Sequence, residues 1–151
     1  MKKIKVGIIG AGGIAQAAHI PSLKKTEGVE ITAIADINKE KVEYAGKKFE
    51  IRNTFTEWEK LIEADIDVVV ICSPNALHAE QSIKAMESGK DVLCEKPVCL
   101  TSEEAEKIFR VAERTGRIFM AAFPRRFSGE AKVLKPMIDK GELGEMYNIK
   151  A

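Results

Sequence analysis

Two glycines and a small residue follow the first apolar run of the chain, at a spacing that suits a phosphate site. The run ends in Gly10-x-Gly12-x-x-Ala15 and leads directly into a helix-like pattern. Gly10 permits a tight turn, Gly12 leaves room for a pyrophosphate at the backbone, and Ala15 lets the helix pack closely on the strand. Free N–H groups at the start of that helix would face the phosphates. The motif therefore predicts a dinucleotide site.

A second apolar run ends in Asp36, about twenty residues after the glycines, where an acid binds the adenosine ribose of a dinucleotide. Its carboxylate would accept from both ribose hydroxyls and repel a 2′-phosphate. The next residues, Ile37 and Asn38, supply no Arg for such a phosphate, although Lys39 and Lys41 lie nearby. The pattern favours NAD over NADP as the cofactor. The alternative is a strand–turn–helix with an acidic cap and no ligand.

The composition points away from nucleic acids, membranes and metals. The 151 residues carry 24 basic and 23 acidic side chains, which nearly cancel, so no charged partner is indicated. No apolar run approaches the roughly 20 residues of a membrane span. The cysteines Cys72, Cys94 and Cys99 contain no CxxC pattern, which favours buried free thiols over a metal site. We expect a protein of the reducing cytoplasm.

Short apolar runs alternate with amphipathic segments along the chain. The predicted strands are Ile4–Ile9, Val29–Ala35, Thr54–Phe55, Val68–Cys72, Val92–Cys94 and Ile118–Ala122. The predicted helices are Gly13–Lys25, Lys39–Phe49, Glu57–Ala64, Leu77–Ser88, Ser102–Thr115 and Gly129–Lys140. Continuous apolar strands indicate burial on both faces and hence a parallel sheet. We predict an α/β fold, a doubly wound parallel sheet of the Rossmann type in three layers with helices on both faces.

Local signals predict where some helices begin and break. Two Thr–Glu pairs have the spacing of a capping box: Thr56 with Glu59, and Thr101 with Glu104. Pro21 lies inside the first predicted helix and is expected to break it and start a new turn.

Three motifs follow the fourth, fifth and sixth predicted strands, at the edge of the sheet where such folds bind ligands. They are Ser73-Pro74-Asn75-x-x-His78, Glu95-Lys96-Pro97 and Arg125-Arg126-Phe127. With the glycine motif before them, the first two resemble the glucose–fructose oxidoreductase / inositol dehydrogenase (Gfo/Idh/MocA) family. The resemblance covers essentially the whole chain. It implies an NAD-dependent oxidoreductase that transfers hydride between a sugar or polyol hydroxyl and nicotinamide.

The resemblance also implies roles for individual residues. Lys96 would be catalytic, beside the reacting carbon, as a substrate ligand and an electrostatic or proton-relay group, and Pro97 would be a cis proline. The implied cofactor-binding residues are Gly10, Gly12, Gly13 and Ile14 at the pyrophosphate, Asp36 at the adenosine ribose, Ser73, Pro74, Asn75 and His78 beside the nicotinamide half, Glu95 at the nicotinamide ribose, and Arg126 on the nicotinamide side. A lysine can stabilise the developing carbonyl oxygen or relay its proton.

Two histidines have more than one interpretation, and a tryptophan has a structural one. His78 could instead cap its helix or bond to a backbone carbonyl. His19, before Pro21, could pack or face solvent, or it could touch the cofactor. Trp58 fits core packing on the third helix.

The family adds a C-terminal α/β domain that supplies most of the substrate site and usually the subunit contacts. Its general acid–base His, in an Asp-x-x-x-His pattern, has no match here, and Pro124 stands where many members have Asn. We expect 1–145 to form the dinucleotide-binding domain, and 146–151 to be the first strand of a missing substrate and oligomerisation domain. Such a chain would bind cofactor and turn over slowly or not at all. The alternative is a self-standing, non-catalytic dinucleotide-binding or redox-sensing module.

Overall fold

The computed structural model describes residues 3–148. Six strands form one sheet in the order β3-β2-β1-β4-β5-β6, and every neighbouring pair is parallel. The strands are β1 (Ile4–Ile9), β2 (Val29–Ala35), β3 (Asn53–Phe55), β4 (Val68–Ile71), β5 (Asp91–Glu95) and β6 (Phe119–Ala122). The helices are α1 (Ile20–Lys25), α2 (Lys39–Phe49), α3 (Trp58–Glu63), α4 (His78–Glu87), α5 (Ser102–Thr115) and α6 (Gly129–Asp139). The predicted doubly wound Rossmann architecture is confirmed.

The central strands are apolar on both faces because each face is covered by helices. On β4, Val69 and Ile71 belong to one hydrophobic core, while Val70 between them belongs to the core on the opposite face. Ile9 and Ile8 of β1 divide in the same way. Alternate side chains of a strand point to opposite faces, and each fully buried Val or Ile contributes about 1.5–3 kcal/mol. The continuous apolar runs therefore hold the layers together.

One predicted capping box forms and the other does not. At the start of α5, Glu104 N donates to Thr101 Oγ1 at 3.2 Å and Thr101 N donates to Glu104 Oε2 at 3.3 Å. The Thr56–Glu59 box was a wrong prediction, because α3 begins at Trp58 after Glu57, which makes no side-chain cap. Glu59 is then the second helical residue, one position too early to close a box.

The prediction that Pro21 breaks the first helix was also wrong. The chain is continuously helical from Gly13 to Lys25, but 15–19 (Ala15–His19) form a π-helical turn immediately before α1. A proline lacks an N–H, and its ring clashes with the carbonyl four residues earlier in a regular helix. The wider π turn moves the backbone out of that register. The helix therefore continues through the proline.

Residues 124–148 follow the last strand of the sheet, and most of their side chains are exposed. A 3₁₀ turn (Pro124–Phe127) leads to α6, which has no buried side chain. The sequence predicted a terminal strand over 146–151. Residues 146–148 have no strand structure, and 149–151 lie outside the described residues.

Candidate functional site

The carboxyl ends of β1, β2 and β4 surround a cleft of about 910 Å³, which we call the first cleft. It opens where the chain crosses from one half of the sheet to the other, the place at which doubly wound folds bind ligands. The predicted site residues that line it are Gly10, Gly12, Asp36, Ser73 and Pro74. The structure thus brings together residues from three separate motifs.

The two glycines of the first motif do different work. Gly10 has φ +98°, and a Cβ there would lie 2.5 Å from the carbonyl oxygen of Cys72, so the fold itself requires a glycine. A Cβ on Gly12 would meet no heavy atom within 4 Å. Gln16 N donates to Gly12 O at 3.1 Å, which begins the helix and leaves the N–H groups just before it without helical partners. Open space and free donors together suit an anionic ligand.

Asp36 is held in place by the backbone on both sides of it. Its Oδ2 accepts from Ala11 N at 2.8 Å, and its Oδ1 accepts from Asn38 N at 2.9 Å. A carboxylate oxygen has two acceptor sites, so each oxygen retains one for a ribose hydroxyl. Lys41 lines the same cleft, and none of the lining residues is an Arg. The geometry fits the predicted role of Asp36.

Trp58 lines the first cleft as well as packing on the core. The core contact confirms its predicted packing role, but the sequence interpretation gave it no place in the site. Leu77 and Ile37 are further apolar residues of the same lining. The signal was available, because Trp58 lies only three residues after the end of β3, at the ligand-binding edge of the sheet.

A second cleft of about 400 Å³ is lined by Lys96, Phe123, Pro124, Arg125 and Arg126. Lys96 and Arg126, predicted from separate motifs, therefore share one site. The Arg126 guanidinium lies 5.9 Å from the centroid of the Phe123 ring. Three cations and no acid line this cleft, so it favours an anion or an oxygen that gains negative charge.

Glu95, the residue before Lys96, is bound by the protein itself. Its Oε1 accepts from His19 Nε2 at 2.7 Å, and its Oε2 accepts from Lys96 N at 3.1 Å. The Glu95 and His19 side chains are only 12% and 13% exposed. The sequence interpretation expected Glu95 to contact the nicotinamide ribose; here its nearest partners are an imidazole and a backbone amide.

His78 does not line either cleft. It is 1% exposed, with Nδ1 at 2.7 Å from the Pro97 carbonyl and Nε2 at 2.8 Å from the Ser73 carbonyl. Both ring nitrogens lie beside backbone carbonyls in this buried position, whereas the expected contact with the nicotinamide half stays a prediction. The alternative interpretation, a bond to backbone carbonyls, describes it. Gly13, Ile14 and Asn75 are exposed and lie outside the lining of both clefts. The Lys96–Pro97 peptide bond is cis, as the resemblance implied.

Two buried thiols lie at the ends of β4 and β5, and one of them, Cys72, lines the first cleft. Burial, with a smaller contribution from the Glu95 charge, raises the pKa of Cys72 to about 12, and burial raises that of Cys94 to about 11. Both cysteines are free and stay protonated at neutral pH, so Cys72 acts as an apolar wall of the first cleft. Among residues 3–148, no group of three or more His, Cys, Asp or Glu side chains could hold a metal ion. No helix in that range has the length and apolar character needed to cross a membrane.

Comparison with known proteins gives a consistent match. Residues 4–123 match the model of the GFO_IDH_MocA oxidoreductase family, described as an NAD-binding Rossmann fold. The chain is 36% identical over 146 residues to glucose-6-phosphate 3-dehydrogenase of Bacillus subtilis, covering 97% of this chain and 41% of that protein.

Two solved structures illustrate the likeness of the fold. Scyllo-inositol dehydrogenase from Lactobacillus casei, with bound NAD(H) and scyllo-inositol, has a TM-score of 0.89 at 29% identity, over 95% of this chain and 43% of that one. A mutant 3-ketoreductase from Actinomadura kijaniata, in complex with TDP-benzene and NADP, has a TM-score of 0.87 at 31% identity, over 95% and 46%. The chain spans less than half the length of each of these relatives.

Proposed function

The chain belongs to the Gfo/Idh/MocA oxidoreductase family, and on that premise we propose that the whole protein transfers hydride between a sugar or polyol hydroxyl and nicotinamide. The chain itself is the NAD-binding Rossmann domain of such an enzyme. The single observation that carries the proposal is the first cleft, in which a glycine turn, a doubly anchored Asp36 and the Ser73-Pro74 turn meet at the switch point of the sheet.

The residues present fit the dinucleotide. We place the adenosine ribose at Asp36, whose two oxygens keep acceptor sites, and the pyrophosphate at Gly12, where no side chain intrudes. The helical N–H groups at Gly13 and Ile14 face the phosphates in this arrangement. Ser73, Pro74 and Asn75 then lead toward the second cleft, which takes the nicotinamide half beside Arg126. When bound, the cofactor supplies the hydride acceptor.

Lys96 is the proposed catalytic residue. Its ammonium belongs to the cationic lining of the second cleft, so it would donate a hydrogen bond to the substrate oxygen and stabilise the charge that develops there. It would also pass the hydroxyl proton toward solvent, to which the Lys96 side chain is exposed. Positioning and one acid–base group together account for much of a dehydrogenase rate, and each contributes about 10²-fold or more.

We propose that the substrate half lies outside 1–145 and is carried by the same polypeptide. The relatives are more than twice as long as the matched region, and α6 exposes Val133, Leu134 and Ile138. A helix with an apolar stripe and no buried side chain is stabilised by whatever covers that stripe. A second domain of this chain is the proposed cover, and it would also carry the subunit contacts of a homo-oligomer.

We propose a cytoplasmic location for the protein. Cys72, Cys94 and Cys99 are all free, and unpaired thiols persist where the cell keeps them reduced.

The cofactor proposal is tested by titrating the 151-residue chain with NADH and with NADPH. Trp58 is the only tryptophan and lines the first cleft, so its fluorescence should be quenched as NADH binds, in parallel with the heat measured by calorimetry. NADH should bind more tightly than NADPH. Binding of NADPH alone would contradict the role of Asp36, and binding of neither would contradict the site.

The activity proposal needs the full-length protein and a panel of sugars and polyols with NAD. Turnover by the full-length protein, together with its absence in the 151-residue chain, supports the proposal. A full-length protein that binds NADH but oxidises none of the panel would favour the alternative, a non-catalytic dinucleotide-binding module. Robust turnover by the 151-residue chain would contradict the placement of the substrate half.

A further inference from the structure

The sequence contains two histidines, and both bond to the three residues Glu95–Pro97. His19 Nε2 lies 2.7 Å from Glu95 Oε1, and His78 Nδ1 lies 2.7 Å from the Pro97 carbonyl. Lys96 is the residue between those two anchors. The exposed lysine of the second cleft is therefore held on both sides of its backbone by imidazole rings that are themselves largely or fully buried.

His19 reaches this segment from the helical region that follows the glycine motif. It is the last residue of the π-helical turn that follows the glycine motif, and an extra residue in a helical turn changes the direction of the side chains around it. The bond to Glu95 spans 76 residues of sequence. A carboxylate that accepts from an imidazole in a site about one-eighth exposed makes a stronger bond than it would in water. The second oxygen of Glu95 accepts from Lys96 N at 3.1 Å.

His78 reaches the same segment from the other side. It is the first residue of α4, and it joins two loops, because its second nitrogen lies 2.8 Å from the Ser73 carbonyl. Carbonyl oxygens only accept hydrogen bonds, so the ring is the donor toward Pro97 or Ser73, and which nitrogen carries the N–H depends on the tautomer. The loops after β4 and β5 are thus connected through a single buried side chain.

We propose that His19 and His78 are positioning residues that fix the Glu95–Pro97 segment and so aim Lys96 at the second cleft. The inference rests on the proposed function, in which that cleft takes the nicotinamide half. His19 acts through Glu95 and His78 through the Pro97 carbonyl. The bonds from His19 to Glu95 and from His78 to Pro97 involve no residue that lines the first cleft, so losing them should act on the nicotinamide end of the cofactor.

The test compares two ligands across two pairs of variants of the 151-residue chain. ADP carries only the adenosine and pyrophosphate that the first cleft would take, whereas NADH adds the nicotinamide riboside. A glutamine nitrogen reproduces the position of histidine Nε2, and an asparagine nitrogen that of Nδ1. His19→Gln and His78→Asn therefore keep the bonds to Glu95 and Pro97, while His19→Asn and His78→Gln lose them.

We expect His19→Asn and His78→Gln to weaken NADH binding about tenfold, in line with the loss of one buried or charge-assisted hydrogen bond, while ADP binding changes by less than about twofold. His19→Gln and His78→Asn should stay within about threefold of the unmodified chain for both ligands. Ser22→Ala on α1 and Lys84→Ala on α4 serve as matched controls, because both side chains are exposed and neither lies in a cleft. Thermal unfolding of every variant shows that the fold persists.

A loss that is equal for ADP and NADH would overturn the proposal, because it would show a general structural role. Equal behaviour of the Gln and Asn variants at either position would also overturn it. An unmodified chain that binds NADH no more tightly than ADP would instead contradict the nicotinamide placement itself. The three results are distinct, so failure of this inference and failure of the proposed function can be told apart.

Discussion

The two clefts differ in how completely this chain builds them. The first is walled on several sides by β1, β2, β4 and α3, and its key acid is fixed by two backbone bonds before any ligand arrives. The second is lined by five residues from only two loops. Lys96, Arg125 and Arg126 are exposed there, and the adjacent α6 buries no side chain.

The contrast separates recognition of the cofactor from choice of substrate. A site whose polar groups are already oriented binds its ligand without the entropic cost of ordering them, and the first cleft meets that condition within one Rossmann sheet. The second cleft fixes the backbone around Lys96 but leaves its outer side open. The adenosine end of the cofactor is therefore served by this domain alone, and the reacting end depends on a further surface.

The largest expected effect concerns the two glycines of the first cleft. Gly10→Ala places a Cβ against the Cys72 carbonyl at a φ of +98°, which should lower the free energy of unfolding by about 3 kcal/mol or more. Gly12→Ala meets open space, so stability should change by less than about 0.5 kcal/mol. NADH affinity of Gly12→Ala should nevertheless fall at least about tenfold, because the Cβ fills the pyrophosphate site. Urea unfolding and calorimetry separate the two, and similar stability losses would contradict the assignment.

Asp36→Ser should weaken NADH binding by about tenfold, because two charge-assisted bonds to the ribose are lost. The same change removes the charge that repels a 2′-phosphate, and Lys41 of the first cleft becomes available to it. The ratio of NADPH to NADH affinity should rise at least about tenfold. Asp139→Ser, on α6, is the matched control with no expected effect. An unchanged ratio would show that Asp36 does not face the ribose.

The buried thiols of Cys72 and Cys94 predict that the protein loses stability at alkaline pH. The folded pKa values of Cys72 and Cys94 are about 12 and about 11, whereas an unfolded thiol titrates near about 8.5. Above that pH the unfolded chain loses protons that the folded chain keeps, so stability falls as pH rises toward the folded values. The slope is about 1.4 kcal/mol per pH unit for each thiol. Urea unfolding from pH 8 to 11 should show a shallower slope in Cys72→Ala; an identical slope would mean that water reaches the thiol.

The smallest effect is expected when the exposed Arg126 side chain is removed from the second cleft. Arg126→Ala removes an exposed guanidinium whose visible contact is the Phe123 ring at 5.9 Å, worth about 0.5–1 kcal/mol at such a site. NADH affinity of the 151-residue chain should fall by no more than about threefold, and ADP affinity should not change. A loss as large as that of Asp36→Ser would show that the exposed Arg126 side chain contributes as much to cofactor binding as the doubly anchored Asp36, and would remove the contrast between these two residues.

The sequence was informative wherever a signal is local. The bounds of β1, β2, α2 and α5 agree with their apolar runs and with the Thr101–Glu104 cap, because strands and caps are decided by neighbouring residues. Thr56 and Glu59 have the same residue types and spacing but form no cap. Packing of β3 and the core makes α3 begin one residue later than this box requires. The break at Pro21 was predicted from the local residue type alone, and this local signal did not reveal the π-helical turn (Ala15–His19) that precedes the proline.

The site divides along the same line. Gly10, Gly12 and Asp36 could be predicted to share one cleft, because they follow the carboxyl ends of β1 and β2 within one βαβ unit. The bond between His19 and Glu95 joins residues 76 positions apart, and no periodicity reports such a contact. His78 was ambiguous for a related reason: a histidine after a strand looks the same whether its ring faces a ligand or two carbonyls.

The position of β1 in the sheet has a consequence for the newborn chain. Of the six strands, the one synthesised first is a central one: β2 lies on one side of it and β4 on the other, and Lys5 N donates to the Asp67 carboxylate across 62 residues. Closing so long a loop is slow compared with pairing β1 and β2. Until Ile71 has left the ribosome, one edge of β1 has unpaired backbone groups and its side chains are mostly apolar, and such strands are prone to aggregation.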